Sequence, residues 1–454
     1  MAISPDTTGQ LCRWVCSTRY EDLPAEVHKE TVTLLYDQVG CMIACATLPS
    51  CQPVVDLVRK LGGPEECSIV GHPVRTSVTN AALANGTIGH GDEVDSTGQQ
   101  GTGHYAASAV PTVLSVGQYT GASGKDLVRA LALGSEVAAR LQSLLYRYST
   151  RNQFYATVSG ALGAAVNAGL LLGLDPEQTE HALGLAASGA CGLTSHHLEE
   201  LHQTKSLDRG RAANAGVLSA LLAQEGFHGP REVLTIENGF FDAFLGLPSV
   251  GHQVLEGLGE HYLMRQVAYK RYPVGAPNQT PLYALLQLMK GHNLNANDID
   301  QIEVSVSRDA FHVVKTNKHP SVHMETILSL AAVYGEISFE HIHDPSYRED
   351  PRVKTFQERA RIMIIPRPGP ASRGERLDAE VMVRTHSGEV LHQNLRYPLM
   401  TEEEIQEKFR YLVSLRLSSD RMLNLEQNLL AIEGANNVAP LISEMEVAYY
   451  KALN

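Results

Sequence analysis

In YATVSGALGAAVNAGLLLGLDPEQTEHALGLAASGA, residues 155–190, apolar side chains return every three or four positions, the period of a helix with one buried face. The pattern breaks at Gly173, and Asp175-Pro176 supplies a cap and a first-turn proline, so two helices are predicted here. Most of the apolar positions are Ala or Gly. Side chains this small let helix axes approach closely, which predicts a tightly packed helical domain rather than a loose bundle.

The same texture extends in both directions. LPAEVHKETVTLLYDQVGCMIACA (23–46), SVTNAALANGTIGH (77–90), GKDLVRALALGSEVAARLQSLL (124–145) and DRGRAANAGVLSALLAQEG (208–226) all carry the helical period, with Gly226 at a helix end. Near residue 268 it changes. DIDQIEVSVSRDAFHVV (298–314) and AEVMVRTHSGEVLHQNLRYP (379–398) alternate apolar and polar residues and read as strands, with Ser387-Gly388 as a hairpin turn. Helix-like TPLYALLQLMKGHN (280–293) and METILSLAAVYGEI (324–337) lie between them. TEEEIQEKFRYLVSLRL (401–417) then opens with a threonine cap and acids in its first turn. The expected fold is mainly α: a large all-helical domain built from both chain ends (1–267 and 396–454) and a smaller α/β lid (268–395).

With 454 residues, 43% hydrophobic and 19% charged, the chain has the composition of a soluble globular protein of two or three domains. Lys and Arg number 37 against 50 acids, a formal charge of −13 that disfavours nucleic acid and anionic membrane as partners. The N-terminal residues lack a basic segment followed by an apolar one, and no stretch reaches the roughly 18 apolar residues of a membrane span, so a cytoplasmic protein is expected. Seven cysteines, with Cys12/Cys16 and Cys41/Cys45 spaced for one helix face, read as core residues without a metal-ligand pattern.

One stretch does not belong to this texture. GHGDEVDSTGQQGTGH (89–104) holds three acids, two histidines and five glycines, too glycine-rich to continue the helix before it. It reads either as an exposed acidic loop or as a site, and it lacks the ligand pattern of a calcium loop or a zinc helix. Lys205, Arg209, Lys270 and Arg271 stand among glycines and apolar residues rather than in a charge run, which suits carboxylate recognition. Each also has a plainer reading as a surface cation. His196, His197 and His202 read as an exposed turn, and Tyr146, Tyr148 and Tyr155 as packing residues, of which Tyr155 is the best placed for chemistry. No G-x-G-x-x-G turn and no P-loop is present.

His90, Glu93, Asp95, Thr97 and His104 resemble the H-x-x-D/E-x-D-D-T…H pattern of the MmgE/PrpD family, with one residue inserted. QTKSLDRGRAANAGVLSALLAQEG (203–226) is similar to its lysine segment and VAYKRYPVG (267–275) to its K-x-x-P segment, in the same order along the chain. The resemblance implies a cleft between helical domain and lid, a homodimer, no cofactor, no metal, and a di- or tricarboxylate substrate. It assigns His104, Lys205, Lys270 and Tyr155 to catalysis and Glu93, Asp95, Thr97, Arg209 and Arg271 to substrate binding.

The chain departs from the cis-aconitate decarboxylase pattern, which implies histidines where Tyr155 and Gly275 stand, an aspartate at Glu93 and a tyrosine near Thr326. Epimerisation needs only a base and an acid on opposite faces of one carbon, so the retained lysines with fewer histidines favour a cofactor-independent epimerase of an imino- or aminodicarboxylate such as iminodisuccinate. A 2-methylcitrate dehydratase-like or cis-aconitate decarboxylase-like lyase is the alternative, and an inactive dimeric binding protein of the same family a second. All the enzymatic readings predict activity that survives a chelator. Turnover abolished by EDTA and restored by a divalent metal contradicts them.

Overall fold

The computed structural model describes residues 6–99, 103–149, 157–367 and 375–446. The Ala/Gly-rich segments form its centre. Helix Thr157–Leu172 lies against Ala106–Thr120, Gly124–Tyr148 and Gln203–Gln224, and the last of these also crosses Val78–Gly89. At that crossing two glycines meet: a Cβ on Gly86 would lie 2.8 Å from the Gly210 Cα, and one on Gly210 would lie 2.4 Å from the Leu83 carbonyl oxygen. The backbones are therefore in direct contact, and any larger residue must push the helices apart. Helix Pro176–Ser188 begins as its sequence predicts, with the Asp175 carboxylate accepting the Gln178 N–H and Gly173 in the left-handed region at φ 74°.

One hydrophobic core gathers residues from Leu11 to Tyr269 and is completed by Ile405, Phe409, Val413 and others up to Met445. The returning helix Glu402–Ser414 packs on Ala25–Cys45, where the Phe409 ring stacks on Tyr36 at 4.0 Å between centroids. A second core draws on residues from Val274 to Leu391. Its sheet has Ile299–Val306 between Arg361–Pro366, which runs parallel to it, and Ala379–Thr385, which runs antiparallel and pairs in turn with the edge strand Val390–Leu395. Alternation buries Ile302, Val304 and Val306 on one face, against which helix Ala276–Gly291 and its neighbour Met324–Tyr334 contribute their own apolar residues.

Two expectations need correction. The 298–314 segment is not one strand: it ends at Val306, and the Ser307 hydroxyl accepts the Ala310 N–H to start helix Arg308–Thr316, whose buried Ala310 and Val314 are spaced for a helix. The cysteines are all free thiols, five of them buried, but Cys16 is only partly covered and Cys191 is exposed. No helix among the described residues is long and apolar enough to cross a membrane.

The glycine crossing gives a direct test. Gly86→Ala is expected to cost about 1–3 kcal/mol in urea unfolding, whereas Gly291→Ala, where a Cβ meets nothing within 4 Å, should leave stability within about 0.5 kcal/mol.

Candidate active site

The glycine-rich loop follows helix Val78–Gly89, and its residues from His90 to Thr97 are all buried. Its carbonyls are held from several sides. Gln38 Nε2 donates to Gly89 O at 2.6 Å, Ser50 Oγ to Gly91 O at 2.6 Å, and Lys408 Nζ to Val94 O at 3.0 Å while pairing with Asp37 at 2.7 Å. Thr97–Gly98 then pairs as a short antiparallel strand with Val267–Ala268. That pairing brings Lys270, two residues further on, beside the acids of the loop.

The loop's acids face inward onto cations and imidazoles. Glu93 is ion-paired with Lys205 through one oxygen and receives Lys270 Nζ on the other at 2.7 Å. His202 Nε2 stands 3.2 Å from the first of these oxygens. Asp95 takes His90 Nδ1 at 2.7 Å and His104 Nδ1 at 3.1 Å, with Lys270 Nζ at 3.4 Å. Asp92 accepts Ser321 Oγ at 2.6 Å and contacts His343 Nε2 at 2.7 Å, which ties the loop to the polypeptide of the second core. Lys205 and Arg209 stand one turn apart on helix Gln203–Gln224, and both are buried.

These contacts decide the ionisation. Burial opposes the charge on Glu93, but Lys205, Lys270, His202 and His90 outweigh it and hold the carboxyl well below its ordinary range. For Asp95, burial is likewise outweighed, by His90, Lys270 and His104 together. The imidazoles go the other way. Burial is the largest influence on His90, His104 and His202 and pushes each down to about 4, despite the carboxylates beside them. Lys270 and Arg209 add to the effect at His104. At neutral pH the site therefore holds ionised acids next to neutral histidines.

A cavity of about 310 Å³ opens on this cluster, lined there by Glu93, Thr97, His104, His202 and Lys205 and on the far side by second-core residues around Gly275, Asn317 and Arg376. Of the residues singled out in the sequence, Glu93, Thr97, His104 and Lys205 line it. Asp95 and Lys270 do not, and contact His104 and Glu93 from behind its wall; Arg209 does not line it either and acts on His104 through its charge. Arg271 does not meet the expectation of substrate binding: its guanidinium is engaged by Glu404 at 2.5 and 2.8 Å and lies over the Tyr283 ring, away from the cavity lining. Tyr155 lies outside the described residues.

His202 was read from sequence as exposed and is instead buried at the cavity, with a left-handed backbone at φ 57°. Its position three residues before Lys205, which puts both on one side of the helix start, was the available signal. His90 with Asp95 and His104, or with Glu93 and His202, also has the spacing of a metal triad. Both triads share their carboxylates with lysine ammonium groups, so an added cation would meet like charge in either.

Two family models and several known proteins match the chain over most of its length. The MmgE/PrpD N-terminal domain matches residues 9–253 and the MmgE/PrpD C-terminal domain residues 272–431. The chain is 24% identical to the cis-aconitate decarboxylase-like protein oryM of Aspergillus oryzae, over 96% of this chain and 97% of that protein. It is 23% identical to the cis-aconitate decarboxylase of Aspergillus terreus over 96% and 95%, and 25% identical to the human cis-aconitate decarboxylase over 83% and 82%.

The depressed histidines set a pH dependence of stability. Between pH 6.5 and about 4 the unfolded chain carries protons on these imidazoles that the folded chain does not, so unfolding takes up protons and stability falls as pH falls. Above pH 6.5 both states are neutral there and the contribution vanishes. Urea unfolding at pH 7 and pH 5 should show a loss on the order of 1 kcal/mol per such histidine. His90→Asn, which keeps a donor for Asp95 but cannot titrate, should reduce that loss.

Proposed function

The chain belongs to the MmgE/PrpD family, and on that premise we propose that it moves a proton at a carbon bonded to a carboxylate of a small di- or tricarboxylate, using its own side chains. One arrangement carries the reading: a neutral imidazole, His104, and a cation, Lys205, open on the same cavity. His104 engages Asp95 through Nδ1, which keeps the proton on that nitrogen and leaves Nε2 as a base. As the proton leaves carbon, negative charge grows on the substrate carboxylate, and Lys205 stands where it can stabilise that charge. Glu93, which lines the cavity, fixes the position of Lys205 and is itself held from behind the wall by Lys270. Thr97, whose Oγ1 is 3.4 Å from His104 Nε2, orients the ring or a substrate oxygen.

Two outcomes of this chemistry are distinguished by what happens next. In a lyase that dehydrates, hydroxide departs from the neighbouring carbon and takes up a proton as water while the C–H pair forms the alkene. In one that decarboxylates, CO₂ departs and leaves its bonding pair on carbon, and the protein delivers a proton there. The names of the relatives, cis-aconitate decarboxylases over nearly the full length, support this form. In an epimerase, a second group returns the proton from the opposite face. One observation favours that form: His104 and His202 both line the cavity and flank His90, at 5.5 and 5.7 Å between ring centroids, so two neutral imidazoles face one space. In either form we read residues 1–267 with 396–454 as one domain, 268–395 as a lid, and the working molecule as a cytoplasmic homodimer.

Proton NMR in D₂O with cis-aconitate, citrate, 2-methylcitrate and iminodisuccinate stereoisomers separates these outcomes. Loss of CO₂ or water identifies the lyase, and stereoisomer interconversion with deuterium at the α-carbon the epimerase. Lys205→Met should lower kcat/KM by about 100-fold or more in either case. Wild-type protein that neither converts nor exchanges any member of the panel returns the chain to the class of binding proteins.

A further inference from the structure

The cluster around Glu93 accounts for one end of the cavity. At the other end, the lining passes to Asp309, His312, Thr316 and Asn317, then to Arg376 and Leu377, with Tyr146 facing them from the end of helix Gly124–Tyr148. Arg376 differs from three other cations near the cavity. Lys205, Lys270 and Arg271 each sit on a carboxylate of the protein. Arg376 has no carboxylate within 4 Å among the described residues, although Asp309 lines the same cavity.

The residue is nevertheless placed with care. Its backbone carbonyl accepts the Ser307 hydroxyl at 3.0 Å, and the next carbonyl, of Leu377, accepts the Thr280 hydroxyl at 2.6 Å. The guanidinium carbon stands 5.1 Å from the centroid of the Tyr146 ring. An arginine fixed at its backbone and laid over an aromatic ring has lost much of its rotamer freedom, and its planar fork of donors is held ready for a carboxylate. It is only partly buried, so its charge is tolerated without a partner while water reaches it.

We infer that Arg376, supported by Tyr146, binds the remote carboxylate of a polycarboxylate whose reacting end lies at His104 and Lys205. This rests on the proposed reaction only for which end reacts; the subsite itself follows from the arginine and the cavity. The consequence is a substrate class. The ligand carries at least two carboxylates separated by the length of the cavity, and a monocarboxylate of the same size is a poor ligand. Binding also links the two cores, because Lys205 belongs to a helix of the first and Arg376 to a segment packed on the second.

The test measures binding separately from turnover. Isothermal titration of the full chain with propane-1,2,3-tricarboxylate, and with butyrate as a single-carboxylate control, should show affinity for the tricarboxylate alone. Arg376→Met keeps the stem and removes the charge, and should weaken that affinity by about 10- to 100-fold. Arg376→Lys should recover part of it, since the charge returns without the planar fork. With a substrate from the NMR panel, Arg376→Met should raise KM by a similar factor with kcat changed less than about threefold. Equal tricarboxylate binding by wild type and Arg376→Met, or none by wild type, overturns the subsite. Tricarboxylate binding that depends on Arg376, in a protein that turns over nothing in the panel, upholds the subsite while refuting the proposed reaction.

Discussion

The Glu93 carboxylate, buried between the ammonium groups of Lys205 and Lys270, is the contact on which the rest of the site depends. Burial opposes the charge on this carboxylate, and the two ammonium groups beside it outweigh that effect. Removing one member of such a set costs about 3–5 kcal/mol, because the others are left uncompensated. Its members come from three parts of the chain: the loop after helix Val78–Gly89, the start of helix Gln203–Gln224, and the segment after strand Val267–Ala268. One electrostatic requirement thus holds three distant segments in register and leaves Lys205 at the cavity wall.

A second layer of pairing tunes what the first holds in place. Asp95 receives His90 and His104, and Asp92 receives Ser321 and His343 from the other core. Burial keeps His90 and His104 neutral while Asp95 stays ionised, so this acid fixes a nitrogen of each ring without taking the ring to the charged form. A base that is unprotonated at neutral pH, aimed by its own carboxylate, is the result. With a formal charge of −13 on the chain, the anionic ligand proposed above would be drawn against the general field by the few cations at the cavity.

Much of this was legible in the linear sequence. The Ala/Gly helices, the Asp175 cap, the 379–398 hairpin and the returning 401–417 helix are local events, and short-range periodicity and caps report them. The misfit of residues 89–104 with their helical surroundings left two readings open, an exposed acidic loop or a site, and in the fold Glu93, Thr97, His104 and Lys205 line one cavity. Where the reading failed, neighbours in space were responsible. The alternation in 298–314 ends at Val306, and the Ser307 cap starts a helix there. Histidine 202 looked like part of an exposed turn until helix, loop and second core closed over it, and Arg271 looked like a ligand-binding cation until Glu404 of the returning helix claimed it.

By itself, then, the sequence determined the helical class, the two textures along the chain and the residue types gathered at the site, because these depend on local spacing and on side-chain chemistry. Tertiary structure alone decided which cations are spent on internal carboxylates and which face the cavity. Lys270 and Arg271 are adjacent in the chain, yet one pairs with Glu93, 177 residues away, and the other with Glu404, 133 residues away. Charge pairing acts over a few ångströms of space, and no spacing along the chain carries that distance.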